Sequence, residues 1–278
     1  MMAPAPTPNR FEIKHLAKTY PKAVGLEDVS LDVSSGEIHA ILGENGAGKT
    51  TVMKILGGLE PAGSYEGELR KNGELLLFRN PADSIHHGIA VVPRRLSVFD
   101  KLSVAENIVV GNWEQKSAFF VRESQTIKQA QAALDFLQVK LDLNIPASTL
   151  NPGHKRVLMI ARAVNTHAQL LVLDEPASFL NSAEAMSQLL RIIRQLAKNY
   201  VAILYLTRRP GEVLQIADRV TVLRDGAVAE EFTRADFDET KLALAMISQR
   251  PGYDNYIDED EEPERGLTGM FRSLFGRK

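Results

Sequence analysis

Nine consecutive residues, Gly43, Glu44, Asn45, Gly46, Ala47, Gly48, Lys49, Thr50 and Thr51, combine three glycines with a lysine and two hydroxyls. Glycines at this spacing let successive backbone N–H groups turn inward around an oxyanion. Lys49 reaches terminal phosphates, the Thr50 hydroxyl ligates magnesium, and a helix starting there adds a favourable dipole. The apolar run EIHAIL before the loop and the helical pattern TVMKIL after it supply the context that separates a phosphate cradle from a chance glycine-rich turn. Downstream, LLVLDEP (170–176) closes an apolar run on Asp174, where a carboxylate meets the same magnesium. Glu175 follows, placed to polarise an attacking water. The chemistry in view is binding of a magnesium–nucleoside triphosphate and transfer of its terminal phosphoryl group to water.

These groups need a scaffold. FEIKHLAKTY (11–20), LEDVSLDVSSG (26–36) and EIHAILG (37–43) alternate like strands. GELRKNGELLLF (67–78) is a hairpin candidate because Asn72-Gly73 supplies the positive φ angles of a tight primed turn. Residues 103–143 read as mostly helical, with QTIKQAQAALDFLQV (125–139) the clearest amphipathic run. LLVLD (170–174) and VAILYLT (201–207) are continuously apolar and of strand length, as in a parallel sheet covered on both faces. AEAMSQLLRIIRQLAKN (183–199) reads as the crossover helix between them.

Composition narrows the function classes. At 278 residues the chain is one large domain or two modest ones. Its net charge is −2, and the acidic excess lies after residue 249. The neutral body argues against a nucleic-acid partner held by bulk charge. The absence of cysteine excludes disulfides, thiolate metal sites and cysteine nucleophiles. No run approaches the roughly 18 apolar residues that span a bilayer, and MMAPAPTPNR lacks the pattern of a signal peptide. The expected location is the cytoplasm, unless a partner holds the chain to a membrane.

GENGAGKTTVMKILGGL (43–59), LSVAENIVVG (102–111), MIARAV (159–164), LLVLDEP (170–176) and IADRVTVLRDG (216–226) together resemble the nucleotide-binding subunit of ABC transporters, most of all its monosaccharide-importer branch. The resemblance runs from about residue 11 to 249. It implies an α/β fold: a RecA-like P-loop NTPase core, an antiparallel β subdomain and a helical subdomain at about 95–165. It implies ATP and Mg2+ as cofactors, integral membrane permease subunits as partners, and residence on the inner face of the membrane. It also implies head-to-tail pairing with a second ATP-binding domain, a copy of this chain or a different ATPase. Each ATP then lies between one phosphate loop and the opposite signature loop. Tyr20 stands where the family places an aromatic on adenine; a half-buried packing role is the alternative.

Three family positions depart from the pattern. The signature loop, Leu-Ser-Gly-Gly-Gln in the family, is Leu150-Asn151-Pro152-Gly153-His154 here. Pro152 has no N–H to offer a phosphate, yet Asn151 is a good N-cap and Pro152 a good first helical residue. After GIAVVP (88–93) the family's magnesium-contacting Gln is Arg94, a donor-only group. After VAILYLT the family's switch His is Arg208. The loop Ala177-Ser178-Phe179-Leu180-Asn181 further lacks a common terminal Asp. Losing one preorganised donor costs on the order of 10²–10³ in rate. The expectation is retained ATP binding with weakened hydrolysis, driving or gating a permease for a small polar solute. The rival function is a non-hydrolysing, ATP-dependent scaffold or regulator of another ATPase. ABC proteins of DNA repair or translation fit less well, because they commonly carry long insertions or tandem cassettes.

The ends read differently. Residues 1–10 are Pro- and Ala-rich and expected to be disordered. Residues 250–265 form a linker with six acids among the seven residues 258–264. In 266–278, Leu267, Met270, Phe271, Leu274 and Phe275 recur at helical spacing beside Arg272, Arg277 and Lys278. Docking on a partner, lying on a membrane surface, and packing on the chain's own domain all remain open for this segment.

Overall fold

The computed structural model describes residues 8–21, 23–111 and 123–247. Strands β1 (Arg10–Tyr20) and β2 (Ala23–Ser34) form an antiparallel pair. Strand β3 (Ile38–Leu42) then runs into helix α1 (Lys49–Leu56) through the glycine loop. Next come the hairpin β4 (Glu66–Lys71) and β5 (Glu74–Leu76), helix α2 (Pro81–His86) and strand β6 (Ile89–Val92). Helices α3 (Val104–Val109), α4 (Glu123–Phe136) and α5 (Pro152–Asn165) lead to β7 (Leu170–Asp174). The described chain closes with α6 (Ala183–Lys198), β8 (Ala202–Thr207), α7 (Pro210–Ile216), β9 (Arg219–Arg224), β10 (Ala227–Thr233) and α8 (Glu239–Met246).

All ten strands join one sheet in the order β5-β4-β1-β2-β10-β9-β3-β8-β7-β6. Its second half is parallel from β9 through β3, β8 and β7 to β6. The first half is antiparallel and meets β10 through Ala227 and Asp28. The turn of the β4–β5 hairpin is the expected one, with φ of 53° at Asn72 and 83° at Gly73.

Period-two alternation on the parallel strands builds a core on each face. Leu170 and Val172 of β7 pack with Val52, Ile55 and Leu56 of α1 and with Phe11 and Leu69 of the antiparallel arm. Leu171 and Leu173 face the other way, into Leu158 and Ile160 of α5 and Ile192, Ile193 and Leu196 of α6. Continuous apolar runs are what burial on both faces demands. A third cluster seats Val213 of α7 and Leu242 and Met246 of α8 on Val220 and Val222 of β9.

The structure departs from the sequence reading in three places. Asn9 and Arg10 are already tied to the fold, since Asn9 exchanges 2.8 Å hydrogen bonds with Ser35, donating to its Oγ and accepting from its N–H. The ordered chain therefore starts before residue 11. Within 103–143 the described residues are mostly helical, in α3 and α4, and the difference lies at the end of the amphipathic run. The amphipathic run stops at Phe136, because Gln138 enters a left-handed conformation at φ 56° and the residues up to Leu143 leave helical geometry. Finally, β2 begins at Ala23, upstream of the alternation at 26–36, because pairing with β1 continues through Val24 and Ala23. The acidic linker and the 267–275 stripe lie outside the described residues.

Candidate nucleotide-binding site

Parallel register decides where the chemistry gathers. Leu42 of β3 pairs with Thr207 of β8, Leu206 with Asp174 of β7, and Leu173 with Val92 of β6. The segments leaving these four adjacent strands therefore emerge along one edge. They carry the glycine loop, Arg208, Glu175 and Arg94, at the carboxyl ends where parallel sheets form their binding crevice.

The loop fits a phosphate group. Gly46 and Gly48 have φ of 78° and 102°, in the region that favours glycine. A Cβ on Gly48 would stand 2.6 Å from Leu26 Cδ2 and 2.7 Å from the Gly25 carbonyl oxygen, so only glycine lets the backbone curl here. Gly43 is equally confined, 2.4 Å from the Leu223 carbonyl oxygen to such a Cβ. Five other helices are closed by a side-chain oxygen, from Asn80, Ser103, Asn151, Ser182 and Asp238. Helix α1 begins at Gly48 with no side-chain cap, which leaves its first-turn donors for an anion. Ala47 and Thr51 are buried in the walls, Glu44 and Asn45 lie exposed at the tip, and Thr50 is half-buried at the helix start. Lys49 is buried, and its Nζ donates to the carbonyl oxygens of Gly43 at 2.8 Å and Glu44 at 2.9 Å.

Among the described residues no group of three histidine or carboxylate side chains is gathered to cage a metal. Thr50 and the buried Asp174 instead suit a magnesium that takes its remaining ligands from phosphates and water.

Glu175 is held firmly. Its backbone sits at φ 38°, its N–H donates to Leu206 O at 2.9 Å, and its carbonyl accepts from Ser178 N–H at 3.0 Å. A non-glycine residue in this conformation is strained, and such strain concentrates where side chains must be aimed. The carboxylate lies between two guanidiniums, with Arg94 Nε 3.3 Å from Oε2 and Arg208 Nε 3.9 Å from Oε1. The arginines come from the strands on either side of β7. Glu175 is therefore the inner member of the trio, its side chain 10% exposed against 40% for Arg94 and 38% for Arg208.

Two buried charged residues that the sequence reading missed fix this geometry. Arg156 of α5 is 1% exposed and donates to the carbonyl oxygens of Pro93 at 2.6 Å and Arg94 at 2.5 Å. Burial pushes its guanidinium down to about 10, against the opposing pull of Asp174. Glu212 of α7 accepts from Tyr205 and Thr207 at 2.9 and 2.8 Å and pairs with Arg209 at 3.3 Å, which shapes the turn carrying Arg208. Burial, then the Glu212 charge, raises the Tyr205 hydroxyl well above its ordinary range. The signal for Arg156 was available: it is a charged residue on the apolar face of α5. Nothing local marked Glu212.

Tyr20 reaches the site's rim. A Cβ on Gly25 would meet Tyr20 Cε2 at 2.7 Å and Thr51 Oγ1 at 3.0 Å, so the ring lies beside the first turn of α1. Its hydroxyl donates to Glu60 at 3.1 Å. The altered signature residues stand elsewhere. Asn151 Oδ1 accepts from His154 N–H at 2.8 Å, and Pro152 is the first helical residue, as the sequence predicts. A Cβ on Gly153 would stand 3.6 Å from Ala185 Cβ and 3.8 Å from Leu180 Cδ2. Of the first-turn donors of α5, Pro152 supplies none and that of His154 is used within the chain.

The family model for the ABC transporter matches residues 26–178. The chain belongs to the ABC transporter family. The xylose import ATP-binding protein XylG of Thermoanaerobacter pseudethanolicus is 36% identical over 239 residues, covering 86% of this chain and 47% of that protein. The ribose import ATP-binding protein RbsA of Bacillus subtilis is 36% identical over 246 residues, covering 87% and 49%. The chain thus spans about half the length of the curated relatives it matches. Two solved structures share its fold. One is an ATP-binding cassette of an ABC transporter in its ADP conformation, with TM-score 0.71 at 21% identity over 85% of this chain and 98% of the other. The second is a nucleotide-free ABC cassette, with TM-score 0.70 at 23% identity over 90% and 100%. The RecA-like core with an antiparallel arm is therefore the ABC cassette fold, and its register brings the glycine loop, Asp174 and Glu175 to one edge of the sheet. No described helix is long and apolar enough to cross a membrane.

Proposed function

We propose that this chain is the ATP-binding subunit of an ABC importer for a small, sugar-like solute, and that its own hydrolysis is weak. The convergence of the phosphate loop with Asp174 and Glu175, under the two arginines on Glu175, carries the reading. Thr50 and Asp174 would hold a magnesium ion, which would supply positive charge against the phosphates. Lys49 and the loop N–H groups bind the phosphates, and Tyr20 stacks on the base. Glu175, the catalytic residue, accepts the proton of the attacking water only after surrendering its ion pairs. The self-capped start of α5 gives little to a phosphate held by an opposing cassette. The chain then works as one half of an asymmetric pair on integral membrane permease subunits at the inner face of the membrane. The other half is an ATP-binding domain with an intact signature loop.

The test is ATP binding and phosphate release by the purified chain, alone and with its membrane partners, with Glu175→Gln as the blank. Tight binding with turnover well under about 1 s⁻¹ for the chain alone is expected. Faster turnover that vanishes in the blank overturns weakened hydrolysis, and a native assembly with two copies and no other ATPase overturns the asymmetry. The arginines on Glu175 also favour a second reading, an ATP-gated scaffold that never hydrolyses. Glu175-dependent turnover in the complete assembly excludes it. The 266–278 segment is assigned to recruitment, so removing residues 257–278 weakens membrane association in a flotation assay and leaves ATP binding intact.

A further inference from the structure

At the amino ends of the parallel strands, opposite the nucleotide crevice, a groove of about 460 Å³ runs between α4, α5 and α6. Its apolar walls are Ala132 and Phe136 from α4, Val164 from α5, Leu196 from α6, and Ala168 and Val201 just before β7 and β8. Phe136 stays 37% exposed. A volume of this size lies within the roughly 300–1,000 Å³ of ligand pockets and takes several large side chains. Among the described lining residues only His167 is ionisable.

Helix α6 leads to this groove along a basic face. Arg191, Arg194 and Lys198 are exposed, and their spacings of three and four put them on one side of the helix. The one carboxylate of α6, Glu184, lies in its first turn, and among the described residues none of the three cations is in an ion pair. Leu196 and Asn199, on either side of Lys198 in sequence, line the groove. Arg194 also donates to the Gln215 carbonyl at 2.5 Å, which ties α6 to α7, and α7 shares an apolar cluster with α8. The described chain ends beside α8 at Ile247, whose carbonyl accepts from Arg224 at 3.4 Å.

The sequence that follows matches this surface in order. Residues 248–257 can span about 35 Å when extended, more than the roughly 24 Å length of α6. The six acids of 258–264 come next, and then the apolar stripe from Leu267 to Phe275. We propose that this carboxyl-terminal tail docks on its own domain, its acids along the α6 cations and its apolar side chains in the groove. Tethering gives the segment an effective concentration of roughly millimolar, so a stretch only about three turns long can still be held. An anionic membrane repels the acids that α6 attracts, so the groove is the resting place of the tail. This is independent of the nucleotide reading of the crevice; to the recruitment assigned to 266–278 it adds the step of leaving the groove.

The chain contains no cysteine, so Gln129→Cys in the groove wall and Ser273→Cys in the tail accept a pair of spin labels on the full chain. Pulsed dipolar spectroscopy is expected to show one short, narrow distance that persists when the protein is diluted. Phe136→Glu, and separately Arg191→Glu/Lys198→Glu, should each cut the share of that distance about fivefold or more. Phe271→Asp/Phe275→Asp changes only the tail and should do the same, which decides the matter if a groove variant does not fold. A broad, long distance in the otherwise wild-type chain overturns the proposal. So does a short one that survives all three substitutions, or one lost on dilution, which would make a second copy the donor of the tail. On vesicles of phosphatidylserine and phosphatidylcholine the short distance should disappear as the chain floats, and Phe136→Glu should float about threefold more at limiting lipid. Flotation that keeps the short distance, or that Phe136→Glu does not raise, overturns the exchange between groove and membrane. No flotation by any form, with the short distance intact, removes the recruitment reading alone.

Discussion

Replacing Arg94 by Gln and Arg208 by His in one chain is expected to raise ATP turnover by about 10- to 30-fold. The contacts to be removed are 3.3 and 3.9 Å long and meet the two oxygens of Glu175 separately. At an effective dielectric near 20, unit charges at such distances attract by roughly 4–5 kcal/mol before any desolvation or ordering cost. The arginine side chains are 40% and 38% exposed, and pairs that open to water are worth about 1 kcal/mol each. Two such pairs stabilise the resting carboxylate by about 2 kcal/mol. In the proposed role of general base, Glu175 gives this up before it takes a proton, and about 1.4 kcal/mol corresponds to a factor of 10 in rate. The assay is phosphate release at saturating ATP and magnesium, with the single replacements and a Glu175→Gln control in each background. Because each arginine meets its own oxygen, the single variants should each give part of the gain. Unchanged or lower turnover, with ATP binding intact, refutes the argument: the guanidiniums would then stabilise the transition state and not the resting base.

Three further expectations concern the frame around the site. Gly48→Ala places a Cβ 2.6 Å from Leu26 Cδ2 at a backbone φ of 102°, so nucleotide binding should fall below detection by calorimetry. Asn151→Ala removes the 2.8 Å bond to His154 N–H and should cost about 1 kcal/mol in urea denaturation while ATP affinity stays unchanged. His39 is buried between the Asp32 carbonyl and the Thr221 hydroxyl, and burial, then Arg219, pushes it from 6.5 down to about 4. The unfolded chain therefore binds the extra proton first. The stability this group contributes is full above about pH 6.5 and is lost as pH falls through about 4, by on the order of 3 kcal/mol. Urea midpoints measured down that range should drop in the wild type and drop less in His39→Gln.

Much of the chemistry was legible without coordinates. Phosphate loops declare themselves because one contiguous run must both curl and start a helix, so Gly46, Gly48, Lys49 and Thr50 carry their own context. Asp174 and Glu175 were legible because an apolar strand ended on them. Asn151-Pro152 was legible as a cap because capping is decided within three residues, and His154 N–H does bond Asn151. The end of the amphipathic run was not, because a helical pattern does not show where the backbone turns left-handed, as it does at Gln138. Arg156 offered a weak signal and Glu212 none.

What the sequence determined by itself, then, is the set of groups: a glycine loop that opens a helix, two carboxylates at the end of an apolar strand, and two arginines standing where the family has Gln and His. Local chemistry fixes these, because each depends on neighbours a few bonds away. Only the tertiary structure decided what the arginines touch. Their positions are separated by the whole length of chain from β6 to β8, and they meet on Glu175 because β6 and β8 flank β7 in parallel register. That neighbourhood is a property of strand order, which is set by how all the apolar faces pack at once and is written in no single stretch of residues.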